Sequence, residues 1–275
     1  NSSQSQMTRR STTMSELGLQ SYCSIEKFRK SNGPVLDIRS PSEFNQGHLP
    51  GATNLPLFTD EERACVGKAY KQEGREKAIL LGLRFTNAKV KRLTSSLQEL
   101  IISSPICAEK NQQLKHLKLY CWRGGMRSAS ISWLANTINI KTLILSGGYK
   151  TYRRWVLEKF TSNWPISLIG GRTGTGKTEL LLSLKKHQIS IIDLEGLANH
   201  RGSSFGGLGL PSQPSTEQYE NLIAEVLISC EKKSSKQIWI EAESANLGTC
   251  KVPHELFRQM REAPLLEIIR SQKER

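Results

Sequence analysis

No apolar run in these 275 residues approaches the ~20 that a helix needs to cross a bilayer, which excludes a helical membrane span. The opening NSSQSQMTRRSTTM lacks the apolar core of a secretory signal, so residues 1–19 are expected to be a disordered lead. Six cysteines, at positions 23, 65, 107, 121, 230 and 250, show no Cys-x-x-Cys pairing. That argues against a zinc site or a disulfide framework and for a reducing, cytoplasmic setting. Internal repeats and low-complexity tracts are missing too. Acidic residues are scarce: 25 Asp and Glu stand against 39 Lys and Arg, for a net charge of +14. The shortage is local, because residues 1–200 hold 29 basic and 15 acidic side chains while 201–275 hold ten of each. Within 101–160 the balance is 10 to 2. A basic field of that kind can steer a polyanion such as RNA, although solvated lysines alone also raise the pI of many soluble proteins.

What is present suffices for two modest cores or one large one. The stretch that organises the chain is YCWRGGMRS, Tyr120–Ser128. Leu117–Tyr120 before it reads as a short buried strand, and 129–138 after it as a helix, so the loop lies where a strand feeds a helix N-terminus. Backbone N–H groups there can surround an anion, and Gly124 and Gly125 let the chain curl around it. The same field favours a thiolate at Cys121, and Arg127 can bind an anion over the sulfur. A small buried cysteine beside a structural arginine is the plainer alternative. With VLDIRSPSEFNQGHL (35–49), PGATNLP (50–56) and ILSGGYKTYRRW (144–155), the stretch resembles a rhodanese-type sulfurtransferase domain over roughly residues 20–160. That resemblance implies an active-site loop carrying a persulfide or related chalcogen on Cys121. A cysteine phosphatase has similar loop spacing but has His before the cysteine, where this chain has Tyr120.

Residues 35–38 are expected as a strand, with a helix opening at Pro41 behind Ser40 as N-cap and Glu43 completing a capping box. Asp37 and Arg39 read as a structural pair, and His48 as a residue that ties a loop. Residues 58–104 are helical in pattern and form an insertion into the domain. It is either a packing element or a basic surface through Lys68, Lys71, Arg75, Lys77, Lys89, Lys91 and Arg92. Thr142–Leu145 is the next strand, Gly147-Gly148 turns into a helix over 150–160, and the domain boundary is placed in the 161–165 connector.

Beyond it, an apolar strand at 166–169 runs into Gly171-Arg172-Thr173-Gly174-Thr175-Gly176-Lys177-Thr178 and an apolar helix. This is the full phosphate-loop pattern in its strand–loop–helix setting. Backbone N–H groups would cradle phosphates, Lys177 would neutralise them, and Thr178 would offer its hydroxyl to Mg²⁺. Further strands are expected at 190–193, 237–241 and 264–269. Glu241, ending QIWIE, is the first candidate for the acid that holds magnesium through water, and Asp193 the second. Loop 193–209 carries His200, Arg201, Ser203 and Ser204 as candidate substrate contacts. The expected fold class is α/β: a rhodanese-like domain with a helical insertion, then a parallel-sheet P-loop domain over 165–275. Four strands are few for such a domain, so a missing C-terminal part is expected.

The combination of LPLFTDEERACVGKAYKQEGREKAI, YCWRGGMRS, GRTGTGKT, DLEGLANHRGSSFG and WIEAESANLG closely resembles the bacterial tRNA 2-selenouridine synthase family over about residues 20–275. Membership implies replacement of sulfur by selenium at carbon 2 of a wobble 2-thiouridine in tRNA. It implies selenophosphate as selenium donor and geranyl diphosphate as donor of a geranyl group that turns the sulfur into a leaving group. Selenophosphate synthase is a candidate partner. From sequence, the phosphate loop accommodates geranyl diphosphate or ATP equally well. Cys121 either carries selenium covalently or assists displacement. The anticodon stem-loop is expected to dock by its phosphates over 101–160, with Lys150, Arg153 and Arg154 among the contacts, and Trp122 or Trp155 stacks on a base or packs in the core. Two rivals remain: a sulfurtransferase fused to a small-molecule kinase, and a non-catalytic RNA-binding protein gated by a phosphate ligand.

Overall fold

The computed structural model describes residues 21–102, 116–172, 174–202, 206–233 and 235–271. The lead expected at 1–19 lies outside them. Two compact units are present: the chain up to Pro41 with Ala52–Tyr149, and Ser42–Gly51 with the chain from Lys150 onward.

In chain order the first part contributes β1 (Tyr22–Cys23), α1 (Ile25–Lys30), β2 (Val35–Asp37), α2 (Pro41–Gln46), β3 (Thr53–Asn54), α3 (Asp60–Gln72), α4 (Arg75–Asn87), α5 (Val90–Ile102), β4 (Leu117–Tyr120), α6 (Met126–Thr137) and β5 (Thr142–Leu145). The strands form one sheet in the order β1-β5-β4-β2-β3, with every pairing parallel. A parallel sheet is covered on both faces, which is why β4 and β5 are mostly apolar and bury every residue, Lys118 and Thr142 included. Lys118 complies by running its stem past the Phe28 ring and donating from Nζ to Ser31 O at 2.9 Å, at the end of α1. The core gathers Leu36, Leu117 and Leu119 from the sheet with Ile131 from α6 and Leu93 and Leu97 from α5. The helical insertion is therefore part of the core, and Leu97→Ala would cost about 2–5 kcal/mol. Its start is a capping box, with Glu62 N–H donating to Thr59 Oγ1 and Thr59 N–H to Glu62 Oε2. The stretch 60–83 does not stay one helix: Gly74 takes φ +95° and divides α3 from α4. Of the basic residues on the insertion, Lys89 pairs with Glu62, while Lys68, Lys71, Arg75, Lys77, Lys91 and Arg92 are exposed.

The remainder contributes α7 (Gly148–Thr161), β6 (Ile166–Gly171), α8 (Lys177–Lys186), β7 (Ile191–Ile192), α9 (Leu194–Ala198), α10 (Thr216–Lys232), β8 (Ile238–Glu241), β9 (Asn246–Leu247), β10 (Cys250–Lys251), α11 (His254–Glu262) and β11 (Leu265–Ile268). A second parallel sheet runs β11-β6-β8-β7, and β9 and β10 form a separate antiparallel hairpin. Most of α7 lies with this unit rather than ahead of the 161–165 connector. The cause is side-chain bonding: Tyr152 Oη reaches Glu225, and Arg153 reaches α10. His48 ties a loop, as expected. Its ring stacks on Phe44 at 3.8 Å, its N–H donates to Gln218 Oε1 at 2.7 Å, and its carbonyl accepts from Asn221 Nδ2 at 3.0 Å. Among the described residues no helix is long and apolar enough to cross a membrane.

Candidate functional site

Cys121 follows β4, which has β2 on one side and β5 on the other, so the chain connections leave in opposite directions there. Such a switch point is where ligands collect in open α/β sheets. The thiol is buried, at 3% exposure. Its loop is held by two interlocking left-handed glycines, Gly124 at φ +61° and Gly148 at φ +59°. A Cβ on Gly148 would overlap the Cys121 carbonyl oxygen and the Gly124 nitrogen, and one on Gly124 would overlap the Leu145 carbonyl oxygen. Tyr149 N–H closes the contact by donating to Cys121 O at 2.8 Å. Beneath, Arg39 forms a buried, bidentate pair with Asp37 and lies over the Tyr149 ring at 3.7 Å, so the expected structural pair also supports the loop. Helix α6 starts at Met126 behind Gly125, with no side chain capping its first turn, which leaves N–H groups facing the loop. Arg127 is partly buried in that turn. Trp122 is not core: it is 37% exposed and tilts against Tyr149 at 5.9 Å. Trp155 packs on Tyr152 at 5.7 Å, with Lys159 over its ring.

The phosphate loop springs from β6, which lies between β8 and β11. Gly171, Gly174 and Gly176 take φ of +142°, +81° and +84°. A Cβ on Gly171 would stand 2.8 Å from Ile268 O, so the neighbouring strand itself demands glycine there. Thr175 Oγ1 donates to Arg172 O at 2.8 Å, and Lys177 Nζ to Gly171 O at 3.1 Å. Thr173 lies outside the described residues. Register places Glu241, the last residue of β8, opposite Ile169. Its carboxyl is 3% exposed, and Oε1 has no hydrogen-bond partner. Burial pushes this carboxyl up, against the Thr178 hydroxyl and Lys177, while Glu243 and Asp193 add to the rise. Asp193 caps α9, its Oδ1 accepting from Gly196 N–H at 2.8 Å.

Sequence reasoning missed two further acids, Glu195 and Glu243. Burial pushes Glu195 up to about 7, with Glu243, Glu241 and Asp193 adding repulsion and Lys177 opposing them. Both carboxylates converge on Gly202, where a Cβ would stand 2.6 Å from Glu195 Oε1 and 3.1 Å from Glu243 Oε2. The available signal was spacing: each lies two residues beyond a recognised candidate, in DLE and EAE. His200 acts on its own loop, with Nδ1 accepting from Gly202 N–H at 3.1 Å, which places its proton on Nε2. Arg201 N–H donates to Gly206 O at 3.0 Å, and its side chain is exposed. Ser203 and Ser204 lie outside the described residues. Gln213 ties this region to the β9–β10 hairpin through Ala198 O at 3.0 Å and Leu247 O at 2.8 Å. Arg270, two residues past β11, brings Nη2 to 3.5 Å from where a Cβ on Gly176 would stand; it too was missed.

One expectation needs correcting. Arg153 is not a surface cation for RNA. Its guanidinium is paired with Glu220 and donates to Asn221 Oδ1 at 2.6 Å and Glu217 O at 3.4 Å, leaving the side chain 15% exposed. Lys150 and Arg154 are exposed, the latter 3.8 Å from Glu158 along the helix.

A cysteine seated in a glycine-locked loop on one parallel sheet, and a phosphate loop backed by a buried acid on another, define a rhodanese-type domain followed by a P-loop domain. Family models agree: one described as a rhodanese-like domain matches residues 25–154, and one described as the tRNA 2-selenouridine synthase AAA domain matches 164–275. The tRNA 2-selenouridine synthase of Nitrosomonas europaea is 38% identical over 242 residues, covering 85% of this chain and 59% of its own. That of Marinobacter nauticus is 36% identical, covering 88% and 63%. That of Hydrogenovibrio crunogenus is 39% identical over 260 residues, covering 88% and 68%. This chain belongs to the tRNA 2-selenouridine synthase family. It spans about three fifths of the length of the first two of these relatives.

Proposed function

We propose that this chain carries the two reaction centres of a tRNA 2-selenouridine synthase, a transferase that replaces the sulfur at carbon 2 of a wobble 2-thiouridine with selenium. The observation that carries the reading is the pairing, in one chain, of a loop-held Cys121 with a complete phosphate loop. Geranyl diphosphate fits the second centre as well as a nucleotide does, because the cradle reads phosphates. As thiouridine sulfur bonds to the geranyl carbon, the carbon–oxygen bond breaks and the diphosphate leaves with its electrons; the N3 proton is lost. Loop N–H groups and Lys177 stabilise that growing charge. The selenium of selenophosphate then adds at carbon 2, and the geranyl thiolate leaves with its electron pair more readily than the original thiocarbonyl sulfur would. Water takes the phosphoryl group from selenium, releasing phosphate. Arg127 and the first turn of α6 hold the anionic donor beside Cys121.

Magnesium fits the second centre. Glu241 has an unpartnered buried oxygen, and the Thr178 hydroxyl adjoins it, so these two residues would hold the ion, with Asp193 nearby. Bound there, it would neutralise phosphate charge. Among the described residues no group of three or more His, Cys, Asp or Glu is arranged to bind a metal. The tRNA would dock by its phosphates on the basic face that includes Lys150 and Arg154, with the wobble base splayed out and Trp122 available for stacking. Selenophosphate synthase is the natural supplier of the donor, and the cytoplasm the natural setting for a tRNA substrate.

The test is mass spectrometry of wobble nucleosides from cells lacking the gene and complemented with wild type or Cys121→Ala. Wild type is expected to restore 2-selenouridine and Cys121→Ala to leave 2-thiouridine or its geranyl derivative. Wild-type selenouridine levels with Cys121→Ala overturn the assignment.

A further inference from the structure

Helix α6 buries one face, through Ile131, Leu134 and Ala135. Met126, Ser130, Trp133 and Thr137 recur at helical spacing on the opposite side and are all exposed. An outward row of this kind is ordinarily polar or charged. Here it presents two large apolar side chains to solvent, Met126 at 51% exposure and Trp133 at 55%. The two hydroxyls between them are turned back onto the helix. Ser130 Oγ donates to Met126 O at 2.9 Å, and Thr137 Oγ1 donates to Leu134 O at 2.7 Å. Trp122, in the loop just ahead of the helix, adds a third exposed apolar group, with its ring tilted against Tyr149.

Charge decides what such a row suits. No Asp or Glu occurs between Glu109 and Glu158, an interval that holds nine Lys and Arg. Arg123 in the loop and Lys141 shortly past α6 are exposed. A basic field without acids attracts a polyanion. Exposed aromatic rings set among hydroxyls that are already bonded offer flat faces rather than base-edge hydrogen bonds, which is how unpaired bases are held. Trp133 stands two turns, about 10 Å, along the helix from Met126, so the row has room for more than one base.

We infer that the outward face of α6, with Trp133 at its centre and Met126 and Trp122 at its loop end, is a stacking surface for unpaired bases of an RNA loop. The inference rests on the RNA substrate proposed above, the anticodon loop, but on neither reaction centre. It adds to the phosphate contacts of Lys150 and Arg154 a surface that reads single-strandedness.

The experiment measures, by fluorescence anisotropy at fixed salt, binding of a labelled anticodon stem-loop RNA and of a fully paired RNA of the same length. Trp133→Ala should weaken the stem-loop about tenfold and leave the paired RNA unchanged. Trp133→Phe, which keeps a ring face, should retain most of the affinity. The salt slope should stay at the wild-type value in both variants, since no phosphate contact is lost. Tyr70→Ala, which removes an exposed ring from α3, should bind as wild type does. Because Trp133 is exposed, Tm should hold. Stem-loop affinity unchanged in Trp133→Ala overturns the inference and leaves this face to a protein partner. Equal losses on both RNAs, or a Trp133→Phe as weak as Trp133→Ala, overturn it as well. A wild-type protein that binds neither RNA overturns the RNA substrate itself, whereas wild-type binding with an unaffected Trp133→Ala overturns the stacking surface alone.

Discussion

The two loops use one backbone device for different chemistry. Each follows a strand inside a parallel sheet, turns on left-handed glycines and feeds a helix whose first N–H groups are open to an anion. Around Cys121 the glycines grip each other's backbone, and the supporting charge, Arg39 on Asp37, is neutralised below the loop. Around Lys177 the glycines grip a neighbouring strand, and two acids, Glu195 and Glu241, interact with the lysine, with Asp193 and Glu243 beside them. On the proposed function, the first arrangement would keep a soft nucleophile clear of competing charge. On the same proposal, the second would hold charge ready for a phosphate ligand that brings its own cation. Backbone geometry makes an anion site, and the residues beside it decide which anion and which reaction.

The hardest blow to this comparison is steric. Gly148→Ala would force a Cβ into the Cys121 carbonyl and the Gly124 nitrogen at φ +59°, where backbone rather than a flexible side chain must yield. A loss on the order of 3–5 kcal/mol is expected in urea unfolding, whereas Gly125→Ala, which meets nothing within 4 Å, should stay within about 1 kcal/mol. Equal effects would show that the interlock does not hold the loop. Next, Lys177→Ala should weaken pyrophosphate binding by about 1.5–3 kcal/mol, roughly 10–150-fold, and leave Cys121 alkylation unchanged. Calorimetric affinities that match wild type would mean the second loop does not bind phosphate through that side chain.

A smaller effect concerns the acids. Glu195 holds its proton more tightly folded, at about 7, than unfolded, at 4.5. The folded state therefore carries the extra proton, and this group's contribution is fully favourable below about 4.5 and is lost as pH rises to about 7. Glu195→Gln should flatten that segment of the stability–pH curve and stabilise the protein above it. A curve as steep as wild type between those limits would remove Glu195 from the charge balance at Lys177. The smallest effect is on RNA. Lys150→Glu with Arg154→Glu should reduce the salt slope of tRNA binding by about two, while Arg153→Glu should lower Tm through its lost partners in α10. An unchanged slope for the pair would move the RNA surface to the exposed cations of α3–α5.

Both loops were legible in the sequence because each is made of consecutive residues: a run of apolar residues, glycines at short spacing, then a helix start. Strands 117–120 and 142–145 were readable to the residue for the same reason, since burial on both faces keeps them mostly apolar, with Lys118 and Thr142 the exceptions. The two-residue strand Tyr22–Cys23 was not readable, because it exists only by pairing with β5, and a run that short has no pattern of its own. Arg153 looked like a surface cation until folding brought Glu220 and Asn221, nearly seventy positions away, against it.

By itself, then, the sequence determined which segments become strands and helices, where the two anion loops fall, and that a cysteine heads one and a lysine ends the other. Tertiary structure alone decided that Gly148 locks the Cys121 loop, that Glu195 joins Glu241 beside Lys177, and that Arg153 pairs with Glu220. The physical reason is range. Turn and helix geometry depend on neighbours along the chain, whereas burial, ion pairing and steric exclusion depend on which distant segments the folded sheets bring within a few ångströms.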